Sequence, residues 1–573
     1  MPNRLFDNKL NILAAFLGCW ALQLALGITV RNPLTVVFFV MLLLLGSLWD
    51  TNGKQRPKYG TILCLVLSGA IAVALSIMLY ERVASGFNSS VFKALSIAVL
   101  FLGFFSIALL ATGTLPTHHT GEKIVVQEQE SINPPILILK VMAICLICWL
   151  PYFLYEFPGI MTADSLVQYD QIYGTEPVSN HHPIVHTLLI KFLTGLGLWL
   201  TGNKSISIAF YTVFQMFFMA FCCGVSICHI KEKRLRIFAA CFYALVPFNG
   251  VFVVTIWKDV IFAGVTILLV CKVIDLKNPD KARLADWILF TIYSVFFALL
   301  RSNAWYAFIV WIPFFLYSFR AQIKRGIVFI VVVLLSVILI KGPVMNHYGI
   351  IQPDFVESLS IPAQMIARML VEEAEISEDD YKLITAVIDT TYIRELYAPD
   401  FADNIKELIR AGHPDVLESN KAAYLGLWIR MGANHPIISE KAWFDLVGGY
   451  IYPDVNYPVG NIDGVMSNSY GLEWMPIIGG KFVVKGKEIL IKLGSFVPLY
   501  GMLWSIGTYT WLLVITIIIS IINHKEFINE LLLLMLVGTL LIAAPLVDFR
   551  YGYAIVMTMP MWIQGLCGII VKG

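Results

Sequence analysis

One short segment of this chain holds an unusual density of groups that could do acid–base or electrostatic chemistry. Its three carboxylates and three imidazoles are Asp164, Asp170, Glu176, His181, His182 and His186. The segment, residues 161–187, follows directly on an apolar run long enough to cross a bilayer. Ionisable groups are costly to hold at a membrane unless they are used, so we expect this segment to form part of a functional site.

Three further polar motifs lie far away in sequence and carry complementary charges. They are Trp257-Lys258-Asp259, Arg301-Ser302-Asn303 and Asp548-Phe549-Arg550-Tyr551. A carboxylate such as Asp164 can deprotonate an acceptor hydroxyl as a general base. Cationic side chains can stabilise the negative charge that grows on a departing phosphate, and the candidates are Lys258, Arg301 and Arg550. The set therefore suits group transfer from a lipid-phosphate donor.

Each of these motifs also has a purely structural interpretation. Lys258 and Asp259 could form an interfacial pair in which the lysine reaches the lipid headgroups. Arg550 beside Tyr551 could anchor the chain at the membrane interface. Asp164 is harder to explain in this way, because it follows directly on the point where the chain leaves the bilayer.

The adjacent histidines raise the question of a metal. His181 and His182 point in different directions, so a zinc site would need a carboxylate from elsewhere. The two rings could equally shape the loop. The chemistry requires no cofactor, since fixed cations can serve the phosphate, and a divalent metal between Asp164 and these histidines stays an alternative.

The composition indicates which elements must position these residues. The chain has 573 residues, of which 58% are hydrophobic and only 14% are charged. This excludes a soluble domain and predicts an all-α, polytopic membrane protein in contact with the lipid bilayer. A net charge of +2 gives no reason to expect a nucleic-acid partner.

Apolar windows of the length of a membrane span predict about fourteen spans. They fall near residues 10–30, 34–49, 61–80, 91–114, 136–157, 206–228, 237–252, 255–275, 287–300, 303–319, 326–341, 496–522, 529–546 and 552–570. We interpret the run at 184–202 as interfacial or re-entrant, since a crossing there would put the basic segment 231–236 outside.

With this topology the basic loops fall on the cytoplasmic side, as expected for a multi-pass protein of the plasma membrane with both termini inside. These loops carry Lys54, Arg56, Lys58, Lys231, Lys233, Arg234, Arg236, Lys277, Lys281, Arg283, Arg320, Lys324 and Arg325. All four polar motifs then map to the outer face. Convergence on one membrane face is the main sequence argument for a shared site.

The layout divides the chain into five parts. They are a four-span module at 1–115, a cytoplasmic linker at 116–135, a transmembrane core at 136–341 with its first outer loop at 158–205, a mostly helical extracytoplasmic domain at 342–490 and the last spans at 491–573. In the extracytoplasmic part, helical patterns occur at 354–371, after Ser377, and at 403–410, 416–431 and 439–449. Residues 450–464 form a predicted aromatic loop.

The order and sidedness of these motifs resemble the GT-C superfamily of integral-membrane glycosyltransferases, which use polyprenyl-phosphate-linked sugars. The motifs are Thr162-Ala163-Asp164-Ser165, Asn180-His181-His182-Pro183, Trp257-Lys258-Asp259, Arg301-Ser302-Asn303, Ser360-Ile361-Pro362-Ala363-Gln364 and Asp548-Phe549-Arg550-Tyr551. The match is closest to an uncharacterised bacterial branch and covers about residues 136–570. The resemblance implies a GT-C-like helical bundle.

The same resemblance implies roles for individual residues. Asp164 takes the place of the catalytic acidic residue in the first outer loop, and Lys258 and Arg550 become phosphate-side cations. Many relatives have adjacent acidic residues here, whereas Ser165 follows Asp164. This leaves Asp170 or Asp259 as a second carboxylate, with His181, His182, Asn303 and Tyr551 lining the site.

The expected activity is therefore transfer of a sugar from a polyprenyl-phosphate donor to a cell-envelope glycan, polymer or protein on the outer face. Two alternatives remain. A transporter or flippase for a lipid-linked oligosaccharide would also need many spans and cations, although transporters place charged sites near mid-membrane. Another envelope polymer transferase or polymerase is the second alternative.

Overall fold

The computed structural model describes residues 9–53, 58–87, 89–113, 133–174, 176–277 and 282–564, except 456, 458 and 461. Within these ranges the chain is all-helical, and extended pairing is limited to isolated bridges. The all-α prediction is confirmed. Most of the predicted linker at 116–135 lies outside the described residues.

Fourteen helices lead up to the region that was predicted to be extracytoplasmic. They are α1 (Lys9–Leu26), α2 (Leu34–Gly53), α3 (Lys58–Ser85), α4 (Ser90–Gly113), α5 (Pro134–Glu156), α6 (Ala163–Tyr173), α7 (Ile184–Thr201), α8 (Lys204–Cys228), α9 (Lys233–Leu245), α10 (Pro247–Val253), α11 (Lys258–Leu276), α12 (Leu284–Leu300), α13 (Ser302–Ser318) and α14 (Ile323–Leu339). Helix α14 continues as a π-helical turn over Ile340–Val344 and one α-helical turn over Met345–His347.

The remaining helices follow in two groups. Those of the first group are α15 (Ser360–Val371), α16 (Glu378–Thr385), α17 (Ile393–Leu396), α18 (Asp403–Ala411), α19 (Pro414–Ser419), α20 (Lys421–Asn434) and α21 (Pro436–Val447). Those of the second are α22 (Lys481–Phe496), α23 (Ile506–Ile522), α24 (Ile528–Ala543) and α25 (Tyr553–Trp562). Short 3₁₀ turns occupy Arg320–Gln322, Phe355–Leu359, Gly448–Tyr450, Gly501–Trp504 and Phe549–Gly552.

Six described helices are long and apolar enough to cross a membrane, and a bent pair formed by α9 and α10 could add a seventh. The six lie at Lys9–Leu26, Val91–Ala111, Pro134–Glu156, Ile184–Thr201, Lys204–Cys228 and Arg320–His347. Shorter apolar helices occur at Leu34–Ser47, Leu284–Leu300, Ile506–Ile522 and Ile528–Ala543. Length and composition thus support a membrane protein with several spans.

The helical bundle has two polar ends. At one end, which we call the lower end, Lys272 pairs with Asp275 at 2.7 Å and with Asp286 at 2.9 Å. At the upper end, Asp259 at the start of α11 pairs with Arg301 between α12 and α13. Helix α11 joins the two ends, and its 19 residues span about 28 Å, close to the thickness of a bilayer core.

Helices α5 and α8 are antiparallel. The Thr212 hydroxyl in α8 donates to the Pro158 carbonyl just after α5, at 2.9 Å, and the Cys228 thiol at the end of α8 lies 3.7 Å from the Pro134 carbonyl. The connection 157–203 therefore leaves and rejoins the bundle at the upper end. Helix α7 lies within this connection, and by length and apolarity it is one of the six helices that could cross a membrane.

Residues 355–431 have a hydrophobic core of their own. Its buried members include Ala367, Ile384, Ile405 and Met431. The helix predicted to start after Ser377 does so, and the Ser377 hydroxyl accepts a hydrogen bond from the Asp380 amide at 3.2 Å. The pattern at 416–431 is divided between α19 and α20.

The predicted aromatic loop belongs to the main bundle instead. Tyr457, Val459 and Leu472 are buried in the same hydrophobic core as the bundle helices. The region 342–490 therefore contains one part with a separate core and a later part that packs into the membrane bundle.

Candidate active site

A short extended segment between α5 and α6 positions the first site residue. Its Ile160 amide donates to the Val254 carbonyl at 2.8 Å, and its Met161 amide donates to the Gly464 carbonyl at 3.0 Å. The segment thus lies between two distant parts of the chain. Gly159 before it has φ +144°, and a Cβ there would come within 2.2 Å of Thr212 Oγ1. Only glycine fits this approach.

Helix α6 begins immediately after this segment and carries Asp164 in its first turn. The Ser165 hydroxyl accepts a hydrogen bond from the Thr162 amide at 2.9 Å, which caps the helix. The Thr162 hydroxyl in turn accepts from the Trp257 indole at 2.8 Å. The start of α6 is therefore fixed against the start of α11.

Asp164 faces Arg550, although 386 residues separate them in sequence. Arg550 Nη1 donates to Asp164 Oδ2 at 2.7 Å, and Arg550 Nε lies 2.9 Å from Asp548 Oδ2. Burial raises the pKa of Asp164, but the charges of Arg550, Lys258 and His182 outweigh this and lower it to about 2. Asp164 is thus ionised at neutral pH.

Two aromatic rings hold the Arg550 guanidinium. Its central carbon lies 4.9 Å from the Trp257 ring centroid and 5.1 Å from that of Tyr551. The Arg301 guanidinium lies 4.7 Å from the Tyr551 centroid. Tyr551 is therefore shared by two arginines, and these cation–π contacts restrict their positions.

Arg301 forms the deeper part of the cluster. Its guanidinium pairs with Asp259, whose side chain is 1% exposed, and its Nε donates to Asn303 Oδ1 at 3.1 Å. The Asn303 amide donates to the Thr539 hydroxyl in α24 at 2.9 Å. Because Asp259 is buried beneath the cluster, it is suited to holding Arg301 rather than to meeting an acceptor hydroxyl.

Lys258 differs from the two arginines in its partner. Its ammonium lies 3.1 Å from His182 Nδ1, and no carboxylate among the described residues forms an ion pair with it. Burial and the Lys258 charge lower the pKa of His182 to about 3, so the ring is neutral at pH 7. Its Nδ1 accepts from the Lys258 ammonium. Burial lowers the pKa of Lys258, and the charges of Asp164 and Asp259 oppose this effect.

The other predicted residues of the loop lie apart from this cluster. Asp170 interacts with the Tyr470 hydroxyl, and His181 lies 3.8 Å from Glu357. His186 is fully buried, with Nδ1 2.9 Å from Gln168 Oε1 and Nε2 2.6 Å from the Tyr211 hydroxyl. The structure therefore brings together six charged groups, namely Asp164, Lys258, Asp259, Arg301, Asp548 and Arg550.

A metal would need a different arrangement of the same side chains. Across the described ranges, no group of three or more His, Cys, Asp and Glu side chains is placed to hold a metal ion. Of the residues considered as ligands, Asp164 faces Arg550, His182 faces Lys258 and His181 lies 3.8 Å from Glu357.

Sequence reasoning missed a second buried charge cluster, which lies at the end of α5. Glu156, the last residue of α5, accepts from the Gly464 amide at 2.7 Å and from the Lys487 ammonium at 2.5 Å. Lys487 also pairs with Asp463, which accepts from the Tyr155 hydroxyl at 3.1 Å. A lone acid at the end of an apolar helix was the only available signal. The cluster ties the extended segment at 464 to α5.

Comparison with known protein families identifies the family to which this chain belongs. Residues 174–567 match the family model described as a family of unknown function, DUF6020. The chain belongs to this family. The DUF6020 match contains Lys258, Arg301 and Arg550 and begins ten residues after Asp164. No curated protein and no solved structure matches the chain.

Proposed function

We propose that this DUF6020 member is a membrane glycosyltransferase of GT-C type that uses a polyprenyl-phosphate-linked sugar. The observation that carries the proposal is the direct contact between Asp164 and Arg550, with Lys258 and Arg301 in the same cluster. A carboxylate beside several cations at one end of an apolar bundle matches the needs of a lipid-phosphate donor and a hydroxyl acceptor.

The donor phosphate would first meet Lys258. Within the described part of the chain this ammonium forms no ion pair with a carboxylate, and a charge-assisted hydrogen bond to phosphate is stronger than its bond to a neutral imidazole. Arg550 would contribute a second cation as the bond between sugar and phosphate breaks. These charges stabilise the leaving phosphate, so that its departure needs no proton from the protein.

Asp164 would act as the general base towards the acceptor hydroxyl. In the absence of a donor its pKa of about 2 makes it a weak proton acceptor. When the phosphate shares Arg550 and Lys258, their effect on Asp164 weakens and its proton affinity rises. Donor binding would thus activate the base, and attack from the opposite face of the sugar would invert its anomeric centre.

We further propose that the helices joining the two polar ends, together with α1–α4, make about fourteen membrane crossings. Lys231, Arg234, Arg320 and Lys324 at the lower end would face the cytoplasm. The upper end, with the site and residues 355–447, would be extracytoplasmic. The acceptor would then be a cell-envelope glycan, polymer or protein.

The location of the charges favours a transferase over a transporter. Transporter sites lie near the middle of the membrane between broken helices, where they can be reached from both sides. Here Asp164, Lys258 and Arg301 lie at the start or end of their helices, at the upper end of the bundle.

The test is a transfer assay in membranes supplied with radiolabelled polyprenyl-phosphate sugars. Asp164→Asn keeps the shape of the side chain but removes the base, and we expect it to lower transfer by at least about 10²-fold. Asp170→Asn is the matched control, since it lies on the same helix outside the cluster, and should retain transfer. Full activity of Asp164→Asn at normal expression would refute the catalytic assignment.

A further inference from the structure

Helix α22 (Lys481–Phe496) combines a cationic stripe with exposed apolar side chains. Lys481, Lys485 and Lys492 are all exposed. At 100° per residue, these three positions fall within about 40° of one another on the helix surface. They therefore form one cationic stripe, which the exposed Glu488, about 20° around the helix from Lys481, borders on one side.

An apolar stripe runs directly beside the lysines. Phe482 is 91% exposed, and Ile489 is 41% exposed. Phe482 and Ile489 lie about 40–100° around the helix from the three lysines. A helix with adjacent cationic and apolar stripes is typical of segments that lie in the headgroup region of a bilayer.

The other side of α22 faces the protein. Lys487 pairs with Glu156 and Asp463, and Gly494 packs so closely on Trp504 that a Cβ there would come within 2.4 Å of its indole ring. Lys487 is thus engaged inside the protein. The stripe of Lys481, Lys485 and Lys492 is a separate feature.

The contacts of α22 place it where apolar helices end. Lys487 contacts Glu156, the last residue of the candidate span α5. Nine residues further, the Phe496 ring lies 5.3 Å from that of Phe87 just after α3 and 5.0 Å from that of Phe92 in the first turn of α4. These two points are about 13 Å apart along the helix. Both of these contacts are made at helix ends, and the Phe496 ring also lies 5.1 Å from that of Trp20 in α1. Helix α22 therefore runs across one end of the bundle.

We propose that α22 is an interfacial helix that binds the anionic phospholipid headgroups of the bilayer around the protein. Lys481, Lys485 and Lys492 contact the lipid phosphates, while Phe482 and Ile489 enter the acyl region. This surface lies outside the cluster around Asp164 and does not depend on sugar transfer. It makes the docking of α22 sensitive to the lipid composition of the membrane.

Hydrogen–deuterium exchange on the full chain in nanodiscs tests this. One bilayer is phosphatidylcholine alone, and the other contains equal parts of phosphatidylcholine and phosphatidylglycerol. Each lysine near an anionic lipid surface strengthens the binding equilibrium by roughly fivefold. We therefore expect amides of residues 481–496 to exchange at least about tenfold more slowly in the anionic bilayer. Raising the salt concentration should remove this difference by screening.

Variants separate the two stripes. The triple variant K481Q/K485Q/K492Q should exchange at the same rate in both bilayers, whereas F482S/I489S should lose protection in both. The control K382Q/K421Q/K441Q removes three exposed lysines elsewhere and should behave as the wild type. Equal protection of the wild-type helix in both bilayers would overturn the proposal. So would a lipid-dependent difference that survives in the triple variant.

Discussion

Replacing Arg550 by methionine removes the cation that Asp164 and Asp548 share. In the wild type the pKa of Asp164 is about 2, against an ordinary value of 3.8. This difference corresponds to about 2 kcal/mol for a buried group, which we reduce to about 1–2 because Asp164 is 31% exposed. Loss of the partner also leaves both carboxylates partly desolvated, so we expect a total cost of about 2–4 kcal/mol at pH 7.

The pH dependence of this cost is the distinctive part of the prediction. In the wild type, the lowered pKa of Asp164 contributes stability above pH 4 that is lost only as the pH falls towards 2. In Arg550→Met, burial raises the pKa of Asp164 and further raises that of Asp548. Acidification then protonates both carboxylates and removes the cost of burying their unpaired charges. The difference in unfolding free energy between the two proteins should therefore shrink from pH 7 to pH 4.

The assay is reversible unfolding in mixed micelles of a mild detergent and dodecyl sulfate, with helicity as the signal. The double variant Asp164→Asn/Arg550→Met should recover about 1–2 kcal/mol relative to Arg550→Met at pH 7, because one of the unpaired charges is gone. A cost below about 0.5 kcal/mol at pH 7, or one that does not change with pH, would refute the reasoning.

Three further predictions concern the same cluster. Lys258→Met should raise the KM for the donor roughly 10- to 100-fold in the transfer assay, since it loses a charge-assisted hydrogen bond, whereas Lys204→Met should not. His182, with a pKa of about 3, stays neutral while the unfolded chain takes up a proton near pH 6.5. The unfolding free energy should therefore fall by about 2 kcal/mol from pH 7 to pH 5, and His182→Asn should lack this part. Asp259→Asn leaves Arg301 without its buried partner and should lower the unfolding free energy by about 3 kcal/mol.

Much of the fold is encoded in local patterns that a single sequence displays. Apolar windows predict helices, and the cap at Ser377 marks the start of α16. The division of 416–431 into α19 and α20 was not predictable, because its apolar period continues across Asn420. The burial of 457–472 in the bundle core depends on contacts with distant helices, which no local pattern encodes.

The candidate site could be predicted as a set of motifs but not as a set of pairs. The predicted topology correctly places four residues at the same end of the bundle, namely Asp164, Lys258, Arg301 and Arg550. Which cation faces Asp164 depends on how α6 packs against the turn before α25, and periodicity contains no information about that. The same limit explains why the contact of Lys258 with His182 was missed.

Residues that only position the site gave even weaker signals. Glu156 is one acid at the end of an apolar helix, and its partner Lys487 lies 331 residues away. From the sequence, Trp257 is expected to be an aromatic residue at the membrane interface. In the structure its indole donates a hydrogen bond to the Thr162 hydroxyl, and its ring lies against the Arg550 guanidinium. Such roles depend on the geometry of long-range contacts.

The central claim is that the cluster around Asp164 binds the phosphate of a polyprenyl-linked donor. Cryo-electron microscopy of the protein in nanodiscs containing a polyprenyl phosphate tests it most directly. The account predicts phosphate density within about 4 Å of Lys258 Nζ, with the lipid tail leaving between helices at the upper end. Phosphate density in the middle of the bundle, or lipid bound only at other sites, would contradict it.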